Sequence, residues 1–127
     1  MIQAVQVYAA VSFLVIGVSH LLRPGAWVAF FQDLGARGAP GAFLEGFIVL
    51  HFGAVIVAFH NVWEGPAVVL TLIGWAQVVK ATIRFVAPGV ALRIMARISP
   101  ERAWHFQVAG VFSLILSGFL FWVRYSA

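Results

Sequence analysis

A chain of 127 residues that is 63% hydrophobic and only 9% charged does not suit water: soluble domains carry about a quarter charged residues, and this much apolar surface would aggregate there. The absence of cysteine excludes disulfides, thiolate metal sites, iron–sulfur clusters and thiol catalysis. The formal charge of +4 raises nucleic acid as a partner. The basic residues, however, flank apolar runs and do not interleave with stacking aromatics, so the expected partner is the lipid bilayer and not nucleic acid.

The expected class is all-α integral membrane, one domain over residues 1–127. A spanning helix needs about 20 mostly apolar residues, and four stretches qualify, at about 3–22, 42–63, 66–87 and 100–124. The opening MIQAVQ lacks the basic start of a secretory signal, so the first run is expected to remain in the mature protein.

The first span has no charged residue, carries His20 in its last turn and is stopped by Pro24-Gly25. In the following AWVAFFQDL, the residues Trp27, Phe30, Phe31 and Leu34 recur at helical spacing with Gln32 and Asp33 off that face, which predicts a short amphipathic helix in the membrane interface. The second span opens with Glu45 and contains His51 and His60. His51 falls near the bilayer midplane, roughly 13 Å into its helix at about 1.5 Å per residue. Nine residues separate it from His60, about 900° of helix or half a turn net, so the two rings point apart and cannot share a metal. His60, Asn61, Trp63 and Glu64 read as an anchor at the outer interface. Glu64-Gly65-Pro66 is a turn tight enough to make the second and third spans antiparallel neighbours.

Gln77, Lys80 and Arg84 on the third span are spaced three and four apart, so they share a face. Either the two cations snorkel to headgroups, or the face turns inward. Glu45 and Arg84 are nearly equidistant from the hairpin turn, which sets them side by side, and the same count brings His51 level with Gln77 and Lys80. The inward reading gives a polar pocket of His51, Gln77, Lys80, Arg84 and Glu45, open to the cytoplasm. Pro88-Gly89 ends the third span. The stretch VALRIMARI has an apolar face of Val90, Ala91, Ile94, Met95 and Ile98 with Arg93 and Arg97 on another, and predicts a second interfacial helix. Ser99-Pro100-Glu101 is an N-terminal capping sequence. On the fourth span Ala109, Ser113 and Ser117 recur every four residues, as do Gly110 and Gly118 across Leu114. Such small-residue faces let helices approach closely, within the chain or between copies.

Arg23, Arg37, Lys80, Arg84, Arg93, Arg97 and Arg102 gather on one side and Arg124 alone lies on the other. The positive-inside rule makes the first side cytoplasmic and puts both termini outside, in a bacterial inner membrane. The expected architecture is thus a four-helix antiparallel transmembrane bundle with two short interfacial helices.

GVSHLLRP and FLEGF, through Gly17, His20, Pro24 and Glu45, resemble the DoxX-like group of small four-helix bacterial membrane proteins. In that group a first helix often ends G-x-x-[KH] before a proline and an acid opens the second. The resemblance implies fold and membrane location; the group's functions are diverse. Three functions stay open. The leading expectation is a non-enzymatic accessory or scaffold subunit, packing through small-residue faces as a homo-oligomer or with a membrane-protein partner. The second is a binder or carrier of a small lipophilic or anionic ligand in the pocket above. The third is a haem or quinone redox subunit using His20, His51 or His105, with His20 and His105 as the pair that could hold a haem; otherwise no metal or cofactor is expected. Catalysis is the weakest option, since no nucleophile–base pair and no metal-ligand spacing is present.

Overall fold

Prolines mark the helix starts. The computed structural model describes residues 1–126 and contains six α-helices: α1 (Ile2–Leu22), α2 (Pro24–Ala36), α3 (Ala39–Phe59), α4 (Val68–Val86), α5 (Pro88–Met95) and α6 (Trp104–Tyr125), with a 3-10 turn at Pro100–Arg102 leading into α6. Proline stands in the first two positions of α2, α3, α5 and the 3-10 turn, where its missing N–H would have had no partner in any case. The residue before a proline is pushed out of the helical region. Arg23 (φ −131°, ψ 50°) and Ala87 (φ −133°, ψ 66°) obey this, so α1 turns into α2, and α4 into α5, at one-residue corners of the same design.

Four helices are long and apolar enough to cross a membrane: α1, α3, α4 and the unit formed by the 3-10 turn and α6. Between 17% and 28% of each apolar window is buried inside the chain, so most of the apolar surface faces outward.

The long helices meet in two pairs. In the first, α1 lies on α6: the Gly17 Cα faces the Gly110 carbonyl, Ser113 Oγ donates to the Phe13 carbonyl at 2.9 Å, and Ser117 Oγ donates to the Ala10 carbonyl at 2.7 Å. In the second, α3 lies on α4 through Gly46 against Arg84, Gly53 against Gln77, and Ile56 against Gly74. In both pairs the meeting positions ascend one helix while they descend the other. A methyl group on Gly74 would stand 2.5 Å from Ile56 Cγ2, and one on Gly53 would stand 2.9 Å from the Gly74 carbonyl oxygen; glycine is what permits this approach. The pairs join at one end in a core of Val5, Ala9, Ala10, Ile56, Leu70 and Leu120. At the other end α2 and α5 close over them. The Gln32 side chain donates to the Ile98 carbonyl at 3.2 Å, Phe31 stacks on Phe106, and Gly35 faces Met95.

Several expectations move. The second span runs 39–59 and not 42–63, because Gly38 (φ +68°) and Pro40 start it early and His60 (φ −140°, ψ 75°) leaves the helical region. The third begins at Val68, since Pro66 sits in the connecting loop with Gly65 at φ +70°. Ser99 precedes a 3-10 turn, so the fourth α-helix starts only at Trp104. On α2 the buried residues are Val28 and Leu34, and on α5 they are Ala91 and Met95, while Phe30, Val90 and Ile94 are exposed. The inward stripe of each short helix is therefore narrower than its apolar face, because only part of that face meets a neighbouring helix.

Candidate functional site

The five residues singled out on α3 and α4 divide into two groups. Glu45, Arg84 and Lys80 form one: Arg84 Nε donates to Glu45 Oε2 at 2.7 Å, and Lys80 Nζ stands 3.5 Å from Glu45 Oε1. The Glu45 and Arg84 side chains are only 7% and 10% exposed, whereas Lys80 is 43% exposed. Breaking such a buried pair by removing one partner is typically a loss of about 3–5 kcal/mol, because the remaining charge is left uncompensated. The cluster carries one net positive charge, on the outward Lys80.

The second group is His51 and Gln77, and it has different company. Both line a groove of about 660 Å³ between α1 and α3, with Tyr8, Ser12, Phe13 and Phe52 among its other walls. Phe13 meets Phe52 edge-on at 5.6 Å and Tyr8 lies 5.7 Å from the same ring. His51 stacks on Phe47 and donates Nδ1–H to the Phe47 carbonyl at 2.8 Å. That bond uses the helix's own backbone, so Nε2 is left as a free acceptor. Ser12 Oγ donates to the Tyr8 carbonyl at 2.8 Å, which turns most of its polarity inward to α1. The groove is thus an apolar slot with an imidazole acceptor and one carboxamide. It lies where the two helix pairs diverge beyond their shared core. The walls from α1 were not singled out in the sequence; Tyr8 and Ser12, four apart and so on one face of α1, were the available signal.

His60 overturns its expected role. It is fully buried and does not sit at the surface. Gln6 Nε2 donates to His60 Nε2 at 3.0 Å, which puts the ring proton on Nδ1, facing Thr71 Oγ1 at 3.2 Å. Thr71 in turn donates to the Val62 carbonyl at 2.7 Å and accepts from the Val62 N–H at 3.0 Å. The ring lies beyond the last residue of α3, and burial pushes it below its ordinary value of 6.5 against a weaker opposing pull from its own backbone. The expected anchor is therefore a latch joining α1, the 60–67 loop and α4. Asn61 and Trp63 stay exposed, with Trp63 Nε1 donating to Asn61 Oδ1 at 3.0 Å.

The two remaining histidines flank Phe106: His20 lies 5.7 Å from its ring, and His105 precedes it in α6 and lines a cavity with it. His20 stacks on Trp27 at 4.2 Å and donates Nδ1–H to the Ile16 carbonyl at 2.8 Å. His105 lies against Trp104 at 4.0 Å and lines a cavity with Arg97 and Arg102. Among the described residues no three His, Asp or Glu side chains gather as a metal-ligand set. The small residues of α6 are used inside the chain where they are Gly110, Ser113 and Ser117. Ala109 and Gly118 face outward, but nine positions apart they lie on opposite sides of the helix. Comparison with family models, curated proteins and solved structures finds no match for this chain.

Proposed function

We propose that the chain is a four-helix antiparallel transmembrane bundle of a bacterial inner membrane, as the resemblance at Gly17, His20, Pro24 and Glu45 implies. Its groove between α1 and α3 holds a small lipophilic molecule bearing one hydrogen-bond donor. The apolar outer surface and the one-sided placement of arginine support the membrane assignment. The observation that carries the function is the pairing of His51 and Gln77 with aromatic walls in one slot. A few placed polar groups in a mostly apolar concavity are what a ligand site requires. With Nδ1–H committed to the Phe47 carbonyl, Nε2 is the ring atom left to accept, so a hydroxyl such as that of a phenol or alcohol suits it. The buried Glu45–Arg84 pair joins α3 to α4, the helices that carry His51 and Gln77. The accessory-subunit reading draws less support, since Gly110, Ser113 and Ser117 already serve the α1–α6 contact.

Binding of 2-naphthol and of 2-methoxynaphthalene, which lacks the donor, tests this on protein in nanodiscs. Saturable binding of the phenol is expected, roughly five- to tenfold tighter than its ether. His51→Phe should keep both ligands and abolish the preference. Equal affinities for the two ligands in the unmodified protein would overturn the reading.

A further inference from the structure

A second cavity, of about 280 Å³, opens between α5 and the start of α6 and is lined by Ile94, Arg97, Ile98, Arg102, His105 and Phe106. It is smaller than a site for a drug-sized molecule, roughly 300–1,000 Å³, and ample for a phosphate ester. One wall is cationic and the other apolar. Arg102 Nη1 donates to the Arg97 carbonyl at 3.4 Å, which holds the second guanidinium against the first arginine's backbone.

No acid neutralises this wall. Asp33 pairs with Arg37, and Glu45 pairs with Arg84 and Lys80; among the described residues neither Arg97 nor Arg102 is in an ion pair. Glu101, their neighbour in sequence, does not line the cavity. Both arginines contribute to the cavity lining, and guanidinium forks suit the planar, multidentate recognition of phosphate oxygens. Leading away from the cavity, His105, Val108, Phe112 and Ile115 share one face of α6 at spacings of three and four. The last three are 44%, 64% and 61% exposed. A charged pocket thus continues into an apolar track along a helix of membrane-spanning length.

We propose that this cavity binds the phosphate of an anionic phospholipid, gripped by Arg97 and Arg102, with an acyl chain lying along Val108, Phe112 and Ile115. The site is separate from the α1–α3 groove and does not depend on it. Native mass spectrometry of the full chain in detergent, with equal phosphatidylglycerol and phosphatidylcholine added, reads the outcome. Phosphatidylglycerol should be retained preferentially. Arg97→Gln with Arg102→Gln should lower its retention about tenfold. Arg23→Gln with Arg93→Gln, which removes the same charge outside the cavity, should change it less than about twofold. Should the first pair not fold, Arg97→Lys with Arg102→Lys keeps the charge without the fork and is expected to lose retention several-fold. Equal losses in both glutamine pairs would mean diffuse surface charge and overturn the site. So would indifference to the headgroup. Displacement of the lipid by millimolar inorganic phosphate would make it a free-anion site instead.

Discussion

His60 and Glu45 are both buried polar residues on or beside α3, and only one of them could be read ahead of the fold. Glu45 meets Arg84 because both lie nearly equidistant from a single hairpin turn, a relation that residue counting captures. The partners of His60 are Thr71, eleven residues on, and Gln6, which is 54 residues away on a different helix pair. No local pattern marks that contact, and the surrounding Asn61, Trp63 and Glu64 suggested an exposed end. The buried ring has consequences at acid pH. Since its folded-state value lies below 6.5, the unfolded chain takes up a proton first as the pH falls. The full contribution of His60 is therefore present above pH 6.5 and is lost as the pH drops toward the folded value. His60→Leu should destabilise the protein by about 1–3 kcal/mol at neutral pH, because the buried Gln6 side chain loses its partner while Thr71 keeps its bonds to the loop backbone. It should also flatten this part of the pH profile; unfolding monitored between pH 5 and 8 checks both effects.

Among whole elements, the boundaries of the spans were legible from hydropathy and proline to within a few residues, whereas the faces were not. Helix α3 is apolar almost all round, so periodicity gives no inward direction. Contact is chosen instead by glycine, at Gly46, Gly53 and Gly74, and the two sides of a glycine are indistinguishable in sequence. The structure makes them unequal. A Cβ at Gly74 would overlap Ile56, while at Gly118 it would meet nothing within 4 Å. Gly74→Ala should therefore force α3 and α4 apart and destabilise by about 1–3 kcal/mol. Gly118→Ala should be neutral or stabilising by up to about 1 kcal/mol, since alanine is the better helix former. Reversible unfolding in mixed detergent compares the two. Opposite ranking would mean that the glycine contacts are not what seats the α3–α4 pair.

Taken as a whole molecule, the chain joins its first long helix to its last and its middle two to each other. The middle pairing follows from a short loop, but the α1–α6 pairing depends on which surfaces remain once α3 and α4 have met, and so was not legible. Neither was the divergence of the pairs that opens the groove. Orientation rests on arginine placement alone and can be tested directly in a chain without cysteine. In intact cells an impermeant maleimide should label Ser126→Cys, and it should reach Arg93→Cys only after permeabilisation; the reverse pattern would invert the topology. The α1–α6 contact also bears on synthesis. Ribosomes add about 5–20 residues per second, so roughly 4–16 s separate the emergence of Leu22 from that of Trp104. Throughout that interval α1 has been made without the helix whose serines, Ser113 and Ser117, bond its carbonyls. The face of α1 that α6 covers, around Gly17, therefore stays unpaired until Trp104–Tyr125 has been made.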